Sequence, residues 1–222
     1  LEVKVAAAVF TLLVKVGIAE LQEYCYVSLD PALTAYLKLA LSEEQLAQLT
    51  LMWAEAMTSL VAFLNQQLFE NSKIALRLAS LEMPNLVSLL RWLEQKLDKK
   101  DDVTAKQVAQ TSGDIRRLLS PLNYPTVLMQ AVALQEKATA FISKWGHAQF
   151  QYEVQQIETL LNQGQMEAAH LKAQSLLHQS KAKGAKAYPG AAYDLAVAYA
   201  LSGRAMKETG QANPARKPLI KA

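Results

Sequence analysis

The chain has 222 residues, of which 51% are hydrophobic and 19% are charged, with only eight glycines and seven prolines. This composition is typical of a folded, helix-rich protein and excludes a disordered chain or a large β fold. The 23 basic and 20 acidic residues leave a formal net charge of +3, so no strong field draws the whole chain to nucleic acid or to a membrane.

The N-terminal residues predict a helix followed by a small hairpin. The apolar run between Lys4 and Lys15 predicts a helix that ends near Gly17, and this run is too short to span a bilayer. Residues 24–29, YCYVSL, alternate aromatic and β-branched side chains, which predicts a strand. Residues 18–21 are its expected partner strand.

Capping patterns mark the two helices that follow the hairpin. Asp30 and Pro31 provide an N-cap and a proline in the first turn, which predicts a helix that begins at Pro31. The sequence SEEQ, which begins at Ser42, is a capping box, because the serine and the glutamine can each bond the backbone N–H of the other. It predicts a long helix over residues 43–70.

Five leucines share one face of a helix that begins near Pro84. The ring of Pro84 ends the helix predicted over residues 73–81, and Pro84 then becomes an early residue of the next helix. Spacings of three and four residues put the leucines on one side, with Trp92 beside them. They are Leu86, Leu89, Leu90, Leu93 and Leu97. This face must pack against another element.

The rest of the chain predicts five further helices separated by short joints. Proline, glycine or charged pairs occupy the joints, and the apolar residues between them recur at helical spacing. The predicted helices cover residues 103–119, 126–144, 147–163, 166–182 and 190–209. Short connections favour antiparallel neighbours, so we expect an all-α fold of antiparallel helical hairpins with one small β-hairpin near the N-terminus.

Two places near the C-terminus follow the tetratricopeptide (TPR) pattern, in which small residues lie where paired helices touch. In the first, Gly164 occupies the tight turn and Ala169 follows five residues later. In the second, the matching residues are Tyr199, Gly203, Met206, Gly210, Ala215, Leu219 and Ala222. The two turn glycines are farther apart than the usual repeat of about 34 residues, and Ala173, Pro214 and Pro218 depart from the pattern. We expect a TPR-like superhelical array, with a plain helical bundle as the alternative.

The same region resembles a known family. The pattern Glu82-x-x-Asn85-Leu86-x-x-x-Leu90-x-Trp92-Leu93 is similar to the segment that opens the helical-repeat arm of bacterial STAND-class signal-transduction ATPases. Upstream, LVKVGIAELQEYCYVSLDPALTAYL resembles the last helix, the wing hairpin and the following helix of the winged-helix subdomain that precedes this arm. The resemblance implies a winged-helix-like remnant over residues 1–41 and a TPR-like helical repeat domain over residues 42–222, within a fragment of a larger protein.

In that family the arm holds the protein inactive or receives an inducer or partner protein, while a separate nucleotide-binding domain switches. The resemblance therefore implies a regulatory sensor and protein–protein interaction module of a larger cytoplasmic signalling ATPase. None of the eight glycines is followed by the Lys-Ser or Lys-Thr of a phosphate-binding loop. We expect this chain to hydrolyse no ATP and to hold no cofactor.

The chemistry-bearing residues follow no catalytic or metal-binding pattern. His170 and His178 lie about 12 Å apart along one helix, too far to share a metal ion. The single cysteine, Cys25, cannot form an internal disulfide, which fits a reducing cytoplasm. Glu20 and Glu23 lie near it without the convergent histidine that acid–base chemistry would use. We expect no enzyme activity and no metal site.

The expected binding surface is the concave side of the repeat array, formed by the first helix of each pair. By the repeat register, the candidate partner-binding residues are Gln151, Val154, Glu158, Asn162, Val197, Arg204 and Lys207. Their mixed polar character suits a protein or peptide, and the alternative is that they are ordinary solvated positions. The predicted wing over residues 20–26 has two acids and no base, the wrong sign for DNA.

We therefore expect a protein or peptide partner, no nucleic acid and no membrane, and the parent protein could bring copies of the chain together. Two other functions stay open. A structural oligomerisation scaffold predicts a broad apolar patch on the exterior. A helical enzyme predicts a deep pocket that holds an acid or histidine of strongly shifted pKa.

Overall fold

The computed structural model describes residues 3–97, 101–142 and 144–210. Within these ranges the chain forms ten α-helices and one two-stranded antiparallel sheet. The prediction of a mostly helical fold with a small hairpin near the N-terminus is confirmed. The chain divides into two compact units, residues 1–55 and 56–222. This division falls inside a long helix, whereas the boundary predicted from the sequence falls just before that helix.

The first unit holds two helices, a hairpin and the start of the long helix. These are α1 (Val3–Lys15), β1 (Ala19–Leu21), β2 (Val27–Leu29), α2 (Pro31–Ala40) and the first part of α3 (Glu43–Glu70). The Asp30 side chain accepts a hydrogen bond from the Ala32 N–H and caps α2. At α3, the Gln45 N–H donates to Ser42 Oγ and the Ser42 N–H donates to Gln45 Oε1. The predicted capping box is thus confirmed.

The second strand is shorter than predicted. Residues 24–29 were expected to be extended, but Glu23–Cys25 form a turn of 3₁₀-helix and β2 begins only at Val27. Tyr24 has a φ of 56°, the left-handed conformation that reverses the chain between the strands. The N–H of Gln22 then donates to the Tyr26 carbonyl across the loop. The prediction is wrong for the first half of the strand because a hairpin needs these residues for its turn.

The second unit holds the rest of α3 and seven further helices. These are α4 (Ser72–Leu81), α5 (Met83–Lys96), α6 (Asp102–Leu119), α7 (Pro125–Phe141), α8 (His147–Asn162), α9 (Met166–Lys183) and α10 (Ala191–Glu208). All seven were predicted, and their ends differ from the predictions by a few residues at most. The last repeat positions, Ala215, Leu219 and Ala222, lie outside the described residues.

Each of the helices α4, α6 and α8 contacts the helix that follows it, as expected for antiparallel hairpins. In addition, α6 contacts both α4 and α8, and α8 contacts α10. The helices α4, α6, α8 and α10 therefore form a continuous series of neighbours, which we call the even row. Four leucines of the predicted face of α5 are buried, Leu86, Leu89, Leu90 and Leu93, whereas Leu97 follows the end of the helix and is half-buried. The predicted packing role is confirmed for these four.

The core of α8, α9 and α10 depends on alanines at the helix crossings. Ala169 and Ala173 of α9 and Ala198 and Ala205 of α10 are fully buried, and they pack in one cluster with Phe150. A methyl side chain at a crossing lets two helix backbones approach closely, while larger residues fill the space on either side. This arrangement places α10 against both α8 and α9.

Among the described helices, α3 alone is long and apolar enough to cross a membrane by length and composition, and 17% of its apolar window is buried. Core helices of soluble proteins show the same composition. In α3, Met57, Val61 and Leu64 are buried along one stripe. The expectation that no membrane is involved stays a prediction.

Candidate functional site

The predicted partner-binding residues lie on α8 and α10, two neighbours of the even row. Glu158 and Asn162 of α8 are exposed, as are Arg204 and Lys207 of α10. The exposed candidates on α8 are thus acidic or polar, and those on α10 are basic. Gln151 is half-buried and borders a groove described below.

Two of the candidate residues contribute to packing instead. Val154 is 7% exposed and belongs to the core of α8, α9 and α10, and Val197 packs against the same core. The reason is the apolar stripe of α8, in which Phe150, Val154 and Ile157 recur at spacings of four and three residues. This stripe was legible in the sequence. We therefore leave both valines out of the candidate surface.

A buried guanidinium joins α6 to α7 and α8. Arg116 is 8% exposed. Its Nη1 donates to Gln135 Oε1 and to Gln155 Oε1, both at 3.2 Å, and its Nη2 donates to Thr159 Oγ1 at 2.7 Å. All these acceptors are neutral, and burial lowers the pKa of Arg116. The charge is therefore held by amide and hydroxyl oxygens, without a direct carboxylate partner among the described residues.

Gly113 makes room for this network. A Cβ at this position would lie 2.6 Å from Gln135 Nε2, closer than carbon and nitrogen can approach. The Gly113 carbonyl also accepts a hydrogen bond from Gln155 Nε2. Glycine usually weakens a helix interior, yet α6 continues through it. The missing side chain lets an amide from α7 lie directly on the backbone of α6.

A groove of about 170 Å³ opens beside Gln135, between α6 and α8. We call it the α6–α8 groove. Its walls include Asp114 and Arg117 from α6, and His147 and Gln151 from α8. Nη1 of Arg117 lies 3.4 Å from Asp114 Oδ1, and its Nη2 lies 3.4 Å from Gln151 Oε1. Burial raises the pKa of Asp114, while the charges of Arg117 and His147 oppose that rise.

A second buried charge ties the start of α8 to α10. Asp194 is fully buried. Its Oδ2 accepts a hydrogen bond from the Tyr188 hydroxyl at 2.8 Å and lies 2.9 Å from His147 Nδ1. Burial, together with the hydrogen bond and negative charge of Asp194, raises the pKa of Tyr188. The Asp194 carboxylate thus fixes the loop before α10 and orients the His147 ring at the mouth of the groove.

Sequence reasoning singled out none of these buried polar residues. Arg116 follows Ser112 by four residues on the buried side of α6. A long cation inside an apolar stripe is the signal that could have revealed the network. The pairing of His147 with Asp194 spans two helices and left no local sequence pattern.

The α6–α8 groove has some features of an active site and lacks others. It brings a carboxyl of raised pKa near a histidine. Its lining includes no serine, threonine or cysteine that could act as a nucleophile. Among the residues that the structure describes, no group of three histidine, cysteine, aspartate or glutamate side chains could hold a metal ion.

Large exposed hydrophobic side chains are concentrated in the first unit. They include Val5, Val9, Phe10, Leu12, Val14, Val16, Leu21, Leu29, Tyr36, Leu37 and Leu39. Leu39 is 87% exposed and Leu12 is 59% exposed. An exterior this apolar is the feature that an oligomerisation scaffold predicts.

Comparison with known proteins finds no match for this chain among family models, curated proteins or solved structures.

Proposed function

We propose that this chain is a non-catalytic interaction module that binds a protein or peptide along the even row of helices. The observation that carries the proposal is the continuity of α4, α6, α8 and α10, each of which contacts the next. Such a series is typical of superhelical arrays of helix pairs, in which the first helices line one extended binding surface. The TPR-like register assigns the exposed candidate residues Glu158, Asn162, Arg204 and Lys207 to this surface.

The charge pattern of the surface supports a protein or peptide ligand. Glu158, Arg204 and Lys207 are exposed and take part in no ion pair among the described residues. An extended ligand could therefore pair with both signs of charge without first breaking an internal contact. Complementary charges of this kind select partners and accelerate association more than they add affinity.

The wider role follows from the sequence resemblance. We propose that the module is the regulatory arm of a larger signalling ATPase of the STAND class, in the cytoplasm. The short hairpin of β1 and β2 before α2 supports this proposal, since the resembled family carries a wing at this place. A partner that binds one conformation of the arm more tightly would shift the parent protein toward that conformation by the difference in affinity.

The test is a peptide-binding experiment with the intact chain. A random peptide library is selected against it, and binding of the recovered peptides is measured by fluorescence anisotropy. The double variant Arg204→Glu, Lys207→Glu should weaken binding at least tenfold. The matched control Lys183→Glu, Lys186→Glu makes the same charge change at exposed positions outside the surface. Equal loss in both variants, or no recovered peptide, contradicts the proposal.

The exposed apolar surface of the first unit favours a second candidate function, a structural oligomerisation scaffold. This function predicts association of the chain with itself, without any ligand. Sedimentation over a wide concentration range tests it. In that case the double variant Leu12→Gln, Leu39→Gln should remain monomeric at concentrations where the unaltered chain associates. Met129→Gln, a change at a residue of the second unit that is 72% exposed, is the control and should leave association unchanged.

A further inference from the structure

The floor of the α6–α8 groove presents a hydrogen-bond donor that has no acceptor among the described residues. Arg116 Nη1 donates to Oε1 of Gln135, so the amide oxygen is turned toward the guanidinium. The amide nitrogen, Nε2, therefore lies over Gly113 on the groove floor. No described residue accepts a hydrogen bond from it, although the Gln135 side chain is only 2% exposed. Because Gln135 lines the groove, a ligand oxygen there could accept a hydrogen bond from Nε2.

The start of α8 adds further donors to the same groove. His147 and Ala148 are the first two residues of this helix, and both line the groove. The N–H groups of a first turn have no acceptor within their helix, and the N-cap residue Gly146 supplies none from a side chain. Together with the helix dipole, these N–H groups favour a negatively charged group. Residues with backbone and side-chain donors thus line the same groove.

Two arginines raise the positive potential of the groove. Arg117 forms part of the wall, and its two contacts of 3.4 Å leave its guanidinium weakly engaged. Arg116 lies beneath the floor and has only neutral hydrogen-bond partners among the described residues. A carboxylate is the planar anion that a guanidinium and an amide N–H can bind side by side. These donors therefore fit a carboxylate group.

The wall also holds a group of the opposite sign, Asp114. Its carboxyl lines the groove beside Arg117 and would repel a simple anion. A ligand that carries a positive group next to its carboxylate would meet both charges of the site. The groove of about 170 Å³ is smaller than the usual site for drug-sized molecules, about 300–1,000 Å³, so that ligand must be small.

We infer that the α6–α8 groove binds a small zwitterion of the α-amino-acid type. The ligand carboxylate accepts hydrogen bonds from Gln135 Nε2 and the first turn of α8, and its ammonium lies against Asp114. Arg117 turns from Asp114 to the ligand carboxylate as the ion pair opens. This inference does not rest on the proposed protein partner, because the residues that carry it are not the charged residues Glu158, Arg204 and Lys207 of that proposal, although Gln151 is also a wall of the groove.

Nuclear magnetic resonance titration of the intact chain tests the inference. The signals to follow are the side-chain amide of Gln135 and the backbone N–H of Ala148. L-Alanine is compared with acetate, which lacks the ammonium, and with ethylammonium, which lacks the carboxylate. We expect saturable shifts with L-alanine at an affinity at least tenfold higher than that of either half-ligand. Absence of a saturable shift, or equal affinity for acetate, overturns the inference.

Two variants separate the two ends of the site. Gln135→Glu keeps an acceptor for Arg116 but replaces the donor Nε2 by an oxygen, so L-alanine should bind at least tenfold more weakly. Asp114→Asn removes the partner of the ammonium, so the preference for L-alanine over acetate should disappear. Gln163→Glu makes the same change as the first variant at an exposed residue after α8 and should bind normally. Unchanged affinity in Gln135→Glu or an unchanged preference in Asp114→Asn would show that the groove is not the site.

Discussion

Nη1 of Arg116 lies 3.2 Å from Oε1 of Gln135, and both side chains are buried. This hydrogen bond joins α6 to α7, and the same nitrogen reaches Gln155 of α8. Three helices therefore meet at one charge. Because the partners are neutral amides, the contact is a set of charge-assisted hydrogen bonds rather than an ion pair.

Replacing Arg116 should destabilise the second unit strongly. Arg116→Met keeps much of the side-chain volume but leaves the buried oxygens of Gln135 and Gln155 without their donor. Charge-assisted hydrogen bonds contribute about 1.5–3 kcal/mol each, although the loss of a buried charge offsets part of this. We expect the free energy of unfolding, measured with urea, to fall by about 2–4 kcal/mol. Arg91→Met, at an exposed position of α5, should change it by less than about 0.5 kcal/mol. A similar small change at Arg116 would contradict its role in the network.

Gly113→Ala should destabilise the chain even though alanine favours helices. The gain in helix propensity is about 1 kcal/mol. The new Cβ would lie 2.6 Å from Gln135 Nε2, and overpacking of this kind costs about 1–3 kcal/mol in addition to the displaced hydrogen bonds. Urea unfolding should therefore show a net loss. In the double variant Gly113→Ala, Gln135→Ala, the alanine at position 113 should cost less or become favourable, because the clashing amide is gone. Additive effects would mean that the two residues do not touch.

The helices could be predicted because their signals are local. The capping box at Ser42 and the leucine face of α5 each depend on residues within a few positions of one another, and both were found as expected. The turn at Tyr24 was missed because its left-handed backbone competes with an alternating pattern that also fits a strand. Short apolar runs carry little information to decide between these conformations.

The candidate groove was not predictable in the same way. Gln135 contacts Arg116 across 19 residues of sequence, and His147 contacts Asp194 across 47. Each pair meets only after the helices have packed. The repeat register placed Gln151 and Val154 on the same concave face and predicted no groove, whereas the structure places Gln151 in the groove wall and Val154 in the core. The apolar stripe of α8 decided the outcome at Val154.

Asp114 should make the chain less stable as the pH rises. A carboxylate that is stabilised by an ion pair has the opposite effect. Burial raises its pKa above the ordinary value, so the folded chain binds more protons than the unfolded chain at moderately acidic pH. Stability is then greatest below the unfolded pKa of about 3.9 and falls as the pH rises through the folded value. Asp114→Asn should therefore be more stable than the unaltered chain at neutral pH, and this difference should shrink toward acid pH. Urea unfolding of the unaltered chain and of Asp114→Asn at several pH values measures this difference. A difference that grows on acidification would mean that Asp114 is stabilised as a carboxylate by Arg117.

Tyr188→Phe should loosen the attachment of α10 by removing one donor from a buried carboxylate. Asp194 is fully buried and, among the residues that the structure describes, would keep only His147 as a side-chain partner. A hydrogen bond to a charged group contributes about 1.5–3 kcal/mol, and we expect the free energy of unfolding to fall by this amount. The loss should be accompanied by faster hydrogen exchange at the N–H of Asp194, which donates to the Gly190 carbonyl at the start of α10. Tyr193→Phe, at a residue that is 69% exposed, is the matched control and should change neither quantity. If both variants behave alike, the Tyr188 hydroxyl does not hold the loop to Asp194.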